Sequence, residues 1–276
     1  MSADRAAQGR RQIAALLDRH GLHPRRSLGQ HFLADPNLVE RIVRVAGVGP
    51  GDRVVEVGAG TGTLTVALAE AGARVVAYEV DERLRGVLEE VVGDRPDVEV
   101  RFADAARVDL GTALEGGPWK LVANLPYHVG TGIVLDVLRH APQVEELVVM
   151  VQREVADRLL AEPGTKTYGL PSVVVGLHAD VRFEFPVPRE VFLPVPNVDS
   201  AVVRIRRRPA SEAAEGAIEL AAAAFSQRRK MLRRSLASVL PDPVRVLEAA
   251  GISPTARAEE LAPADYLALA EAAEGS

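Results

Sequence analysis

Between residues 54 and 151, short runs rich in β-branched residues alternate with helix-patterned stretches, and few architectures accommodate that order. The runs are Val54-Val55-Glu56-Val57, Arg74-Val75-Val76-Ala77-Tyr78, Val98 to Phe102, Trp119 to Ala123 and Leu147 to Val151. Helical patterns from about Leu64 to Glu70 and from Glu82 to Val92 lie between them. Such repetition predicts a doubly wound, mostly parallel sheet with right-handed crossovers. Ligands of these sheets bind outside the carboxyl ends of the strands. Glu79, Asp104 and Asn124 all stand at such ends, which raises them above ordinary turn residues.

The first run leads into Gly58-Ala59-Gly60-Thr61-Gly62-Thr63, with Thr63 where the dinucleotide fingerprint wants a third Gly or Ala. Glycine lets a backbone approach a ligand closely, and the N-terminus of a helix follows. Glu79, 21 residues past Gly58, is placed to bind the ribose hydroxyls of either a nicotinamide or an adenosyl cofactor. Glu56 stands just before the glycines, and this acidic-plus-glycine pattern resembles the first motif of S-adenosylmethionine-dependent methyltransferases. Asp104 then matches the acidic residue those enzymes place near the cofactor adenine. A methyltransferase is favoured over a dehydrogenase.

The run from Trp119 to Ala123 ends in Asn124-Leu125-Pro126-Tyr127. Proline fixes its own φ and holds Leu125 extended, so local carbonyls point outward. An amide and free carbonyls can accept from an exocyclic amino group, and a tyrosine ring can stack on a base. Taken alone, the tetrapeptide reads better as a strand-terminating turn, since Asn and Pro are common there, and the rest of the chain decides.

The net charge of −5 hides an uneven distribution. Residues 1–31 carry six arginines against Asp4 and Asp18, and residues 204–234 carry nine basic residues against Glu212, Glu215 and Glu219. Two basic flanks on an acidic body fit either a phosphate-binding face or solvated helix surfaces. With no cysteine in 276 residues, disulfides and thiolate metal sites are excluded. The polar start of the chain lacks an apolar signal region, and no run approaches a membrane span. A soluble, cytoplasmic protein without metal or membrane partner is expected.

Further stretches resemble one family. These are Leu28 to Leu33 (LGQHFL), Val151 to Ala156 (VQREVA), Gly164 to Gly169 (GTKTYG), Phe192 to Val203 (FLPVPNVDSAVV) and Phe225 to Leu236 (FSQRRKMLRRSL). With the glycine loop and the tetrapeptide, which resembles the catalytic motif of N6-adenine methyltransferases, they span residues 22 to 240. In that order they resemble the 16S ribosomal RNA adenine N6,N6-dimethyltransferases. The resemblance implies a Rossmann-like class I α/β fold with a mostly parallel seven-stranded sheet and a small C-terminal all-helical domain. The expected boundaries are 1–50 for the N-terminal helices and cofactor-covering loop, 51–207 for the core and 208–276 for a helical RNA-binding domain.

The family implies S-adenosyl-L-methionine held by His31, Leu33, Gly58, Gly60, Glu79, Asp104 and Asn124. It implies catalysis by Asn124, Leu125, Pro126 and Tyr127, with Phe192 as a second stacking platform. Arg25, Arg26, Arg228, Arg229, Lys230, Arg233 and Arg234 are the candidate RNA contacts. Two departures stand out: His31 replaces the more usual Asn, and His128-Val-Gly-Thr131 replaces a more usual Asn-Ile-Ser-Thr. The implied partner is 16S rRNA in the small (30S) subunit; the sequence does not fix the oligomeric state, and a monomer binding so large a particle is the simplest expectation. Alternatives are a 23S rRNA adenine methylase of the macrolide-resistance type and a non-catalytic ribosome-assembly or transcription factor. Leu125 and the Phe192 stretch favour the first reading, and the intact glycine loop and tetrapeptide argue against lost catalysis.

Overall fold

The computed structural model describes residues 8–25, 28–209 and 211–275. In chain order its elements are α1 (Arg10–Arg19), β1 (Phe32–Leu33), α2 (Pro36–Ala46), β2 (Arg53–Val57), α3 (Thr63–Glu70), β3 (Arg74–Glu79), α4 (Arg85–Val92), β4 (Val98–Phe102), α5 (Leu110–Ala113), β5 (Trp119–Asn124), α6 (Gly130–His140) and β6 (Val144–Gln152). There follow α7 (Arg153–Leu159), α8 (Leu170–His178), β7 (Ala179–Val187), β8 (Phe192–Leu193), β9 (Ser200–Arg207), α9 (Ala214–Ser226), α10 (Leu232–Ser235), α11 (Pro243–Ala249) and α12 (Pro263–Glu274).

Seven strands form one sheet in the order β4-β3-β2-β5-β6-β9-β7. The pairs β2–β3, β3–β4, β2–β5 and β5–β6 are parallel, and β9 runs antiparallel to β6. Val54, Val55, Val75, Val76, Leu121 and Val122 are all buried, as near-continuous apolar runs require when helices cover both faces of a parallel sheet. From β2 the chain winds outward through β3 to β4, then returns to β5 on the other side of β2. The order therefore reverses between β2 and β5, and the crevice at such a reversal is where these folds bind ligands.

Local sequence explains the element that backs this edge. The Asp35 side chain accepts from the Leu38 amide at 3.1 Å, Pro36 opens α2, and Gly47 ends it in the left-handed region at φ 55°. A cap of this kind contributes about 1 kcal/mol, and proline costs nothing where no amide partner exists. Val39, Ile42 and Ala46 form the buried stripe. A pairing not foreseen in the sequence joins β1 to β8, with Phe32 opposite Leu193 and Leu33 opposite Phe192.

The chain forms two compact units, Met1–Ala156 with Arg182–Arg206, and Asp157–Val181 with Arg207–Ser276. The second unit thus takes in residues 157–181, which the expected boundary at 207/208 assigned to the core. The cause is Tyr168, 1% exposed, whose hydroxyl donates to the Leu261 carbonyl at 2.8 Å. Its ring meets Phe225 at 6.0 Å, and Phe225 meets Tyr266 at 6.4 Å. Leu232 and Leu236 are fully buried in this unit. Among the described residues, no helix is long and apolar enough to cross a membrane.

Candidate active site

The carboxyl ends of β2, β3 and β5 border a cleft of about 720 Å³, its mouth included. It is lined by the loop from Leu28 to Leu33, by Glu56, by Gly58 to Thr61, by Glu79 and Val80, and by Asn124 to Tyr127. The glycine loop is held under the sheet edge because the Gly58 and Ala59 amides both donate to the Tyr78 carbonyl, at 2.8 and 3.0 Å. Gly60 has φ 58°, and a Cβ there would stand 3.1 Å from Cδ1 of Phe32. Phe32 therefore lies directly on the loop, which is how the β1–β8 pairing brings residues 28–33 over the cleft.

Three carboxylates organise the adjoining wall. Glu79 accepts from the amides of Gly60 (2.8 Å), Val80 (2.9 Å) and Asp81 (2.8 Å). Burial raises its pKa, and those three amides oppose the rise. The carboxylate thus ties the glycine loop to β3 and keeps acceptor capacity beyond its three amide bonds. Asp81 accepts from Gln30 at 2.9 Å and from Arg83, which holds its carboxyl below the usual range. Glu56 is 1% exposed and accepts from the Thr65 hydroxyl at 2.6 Å; burial pushes its pKa up to about 8. Its carboxyl therefore keeps its proton at neutral pH.

Asn124 closes β5, and its Nδ2 donates to the His31 carbonyl at 3.2 Å. That bond directs the amide donor away and leaves Oδ1 with no protein donor among the described residues. The Leu125 amide donates to the Met150 carbonyl at 3.1 Å, while the Pro126 carbonyl takes the Val129 and Gly130 amides at the start of α6. The Leu125 carbonyl, between them, accepts no such bond among the described residues. The Tyr127 hydroxyl pairs with the Ser200 hydroxyl at 2.8 Å, and burial raises the phenol's pKa. Its ring stacks on that of His31, centroids 5.5 Å apart and planes inclined by 26°.

The structure thus gathers His31, Leu33, Gly58, Gly60, Glu79, Asn124, Leu125, Pro126 and Tyr127 in one cleft. Two expected members stand elsewhere. Phe192 is fully buried, pairs opposite Leu33 and does not itself line the cleft. Asp104 does not line the cleft; its carboxylate accepts from the Ala106 amide at 3.1 Å and lies 3.3 Å from Arg107, closing its own turn. Gln30, Phe32 and Ser200 lie in the stretches LGQHFL and FLPVPNVDSAVV with no individual role expected of them, and Asp81 was not singled out in the sequence. A two-residue strand has no period to read, and polar partners brought together by long-range pairing leave no local signal.

The expected RNA contacts also divide. Arg25 is exposed in the first unit, and Arg26 lies outside the described residues. In the second unit Arg229, Lys230, Arg233 and Arg234 are exposed. Arg228 instead pairs with Glu259 at 2.5 Å and donates to the carbonyls of Lys166 (3.0 Å) and Thr165 (3.4 Å). It is spent on its own unit.

Comparison with known proteins agrees with this geometry. Residues 21–274 match the family model described as ribosomal RNA adenine dimethylase. The chain is 46% identical to the Ribosomal RNA small subunit methyltransferase A of Phenylobacterium zucineum, over 93% of this chain and 90% of that protein. It is 47% identical to the protein of the same name from Streptomyces griseus, over 95% of this chain and 92% of that one. The crystal structure of the 23S rRNA methyltransferase ErmE superposes with a TM-score of 0.65 at 30% identity, covering 88% of this chain and 99% of that one. With a cleft at the reversal of a seven-stranded sheet, an Asn-Leu-Pro-Tyr motif on its floor and a match over nearly its whole length, this chain belongs to the ribosomal RNA adenine dimethylase family.

Proposed function

We propose that this enzyme transfers methyl groups from S-adenosyl-L-methionine to the N6 atoms of two adjacent adenines. The target is the 3′-terminal hairpin loop of 16S rRNA in the small (30S) subunit, with a role in subunit maturation. The enzyme acts as a monomer in the cytoplasm. The observation that carries this reading is the fixed amide of Asn124, whose oxygen and the neighbouring Leu125 carbonyl are, among the described residues, two unclaimed acceptors in the cleft.

The residues present suit the cofactor. Left-handed Gly58 and Gly60 bring backbone close to the cleft without side chains, and buried Glu79 offers acceptor capacity for a ribose diol. Val80, 48% exposed at the end of β3, gives an apolar edge for an adenine ring. Asp104 stays in the proposal for that ring by position alone, just past β4 beside β3. When bound, S-adenosylmethionine supplies an electrophilic methyl on a sulfonium.

An adenine amino nitrogen is a poor nucleophile because its lone pair is delocalised into the ring. If Asn124 Oδ1 and the Leu125 carbonyl accept its two N–H bonds, the nitrogen can pyramidalise and expose that pair. Both acceptors are set before the substrate arrives, so they stabilise positive charge developing on nitrogen without reorganising. Tyr127 replaces part of the stacking that a base loses on entering a pocket. Its hydroxyl is committed to Ser200 and its pKa is raised, so it acts as a platform and not as a base.

Labelled methyl transfer to unmethylated small subunits, beside large-subunit RNA, tests the reading. Label in the small-subunit RNA alone is expected, in line with the higher identity to small-subunit relatives than to the 23S rRNA enzyme. Label in large-subunit RNA alone would overturn it.

A further inference from the structure

His31 touches two of the residues on which the proposed chemistry depends. Its carbonyl accepts from Asn124 Nδ2 at 3.2 Å, and its imidazole stacks on Tyr127 at 5.5 Å between centroids. The ring is not free to turn. Nδ1 lies 2.8 Å from the Pro194 carbonyl. A carbonyl can only accept, so Nδ1 carries the proton and donates. Tyr127 is held at its other end by the Ser200 hydroxyl. The two rings therefore form a pre-assembled pair, pinned by one hydrogen bond on each side, inside the cleft. Phe192, the second aromatic expected there, is fully buried and does not line the cleft.

A flat ring offers two faces, and His31 covers one face of Tyr127. We infer that His31 is a positioning residue for the target base: its imidazole is the backing layer of a stack of His31, Tyr127 and adenine, with the base on the opposite face of Tyr127. This rests on the adenine-directed activity proposed above. A side chain without a ring at position 31 would keep the carbonyl bond to Asn124, which any residue supplies, but could not back the tyrosine. Side-chain substitution at 31 therefore separates two effects. Aim of the Asn124 amide depends on backbone and survives; hold on the base depends on the ring and does not.

Three full-length variants, His31→Ala, His31→Asn and His31→Phe, test this with unmethylated small subunits, after thermal melts confirm that each folds. For Ala and Asn, KM for the subunit is expected to rise about 3- to 10-fold, the size of one aromatic contact, while kcat falls by less. Phe, which keeps a ring, is expected to recover most of the loss. Calorimetric titration with S-adenosylmethionine should give closely similar affinities across the set. A second readout needs no methyl transfer: a hairpin RNA with 2-aminopurine at the target position should be quenched less at saturating His31→Ala than at saturating wild type. Unchanged KM and quenching in His31→Ala overturn the inference. A loss confined to cofactor affinity overturns it too and returns His31 to the cofactor. Absence of any transfer by the wild type would instead refute the functional reading, and the quenching contrast would still decide the stack.

Discussion

The Nε of Arg228 lies 2.5 Å from a carboxylate oxygen of Glu259, and this pair recasts the basic segment from 228 to 234. The same guanidinium holds the carbonyls of Thr165 and Lys166, while the Gly164 amide donates to the Glu259 carbonyl at 2.7 Å. Arg228 is thus a brace that fastens the 164–166 loop within its own unit. Arg229, Lys230, Arg233 and Arg234 are left exposed.

Two substitutions should behave differently as a result. Arg229→Gln is expected to weaken RNA binding and to reduce the slope of log affinity against log salt by about 0.7 to 0.9, one phosphate contact. Arg228→Gln is expected to leave that slope near wild type and to lower stability by about 1 kcal/mol, since the pair is partly exposed and screened. Salt titrations of RNA binding and thermal melts decide. An equal slope change in both variants would restore Arg228 to the phosphate-binding set.

For Asn124, the fixed amide sets the expectation. Asn124→Ala removes one acceptor and the donor to His31, so single-turnover transfer should fall at least 100-fold, the usual loss when one pre-positioned group is removed. Cofactor affinity should weaken only modestly, because Gly58, Gly60 and Glu79 stay in place. Near-normal transfer would remove the proposed mechanism.

Much of this cleft was legible because its parts lie at strand ends. Val54 to Val57 and Trp119 to Ala123 are apolar enough to read as buried strands, so the positions of Gly58 and Asn124 followed from the alternation. What escaped depends on contacts between distant segments. Phe32 and Phe192 each sit in two-residue strands, whose pairing buries one ring in the core and lays the other on Gly60. Residues 157–181 join the second unit through Tyr168, whose partners lie near residues 225 and 261. Asp104 stands at a strand end like Glu79, but its carboxylate closes a turn at Ala106. Position predicts which residues can reach a ligand, and hydrogen-bond partners decide which remain available.

Glu56 gives the molecule a pH-dependent stability with a definite sign. Its pKa rises from 4.5 to about 8 on folding, because the carboxyl is buried. Between these values the unfolded chain is ionised here while the folded one keeps its proton, so unfolding releases a proton and stability falls as pH rises. The stabilisation is full below about pH 4.5 and is lost by about pH 8. Glu56→Gln keeps an acceptor for the Thr65 hydroxyl but cannot ionise. Its stability curve should be flatter across this window, by up to about 1.4 kcal/mol per pH unit. Denaturant titrations at pH 5.5 and 7.5 would measure it, and parallel curves for both proteins would show that Glu56 does not titrate in that range.

Two glycines of the loop separate backbone strain from crowding. Gly58 and Gly60 both have positive φ, 83° and 58°, so alanine at either adds about 1–2 kcal/mol of strain. At Gly58 the new Cβ would meet only ordinary neighbours, Pro126 Cδ at 3.6 Å and the Asn124 carbonyl at 3.7 Å. At Gly60 it would press on Phe32 at 3.1 Å, and that ring is 6% exposed and packed in the core. Moving Phe32 disturbs β1 and with it the loop that carries His31 and Leu33. Gly60→Ala is therefore expected to lower both melting temperature and S-adenosylmethionine affinity more than Gly58→Ala. Melts and calorimetric titrations of the two variants check this ordering. The reverse order would mean that strain at Gly58 governs the loop, and that Phe32 yields without moving the cleft wall.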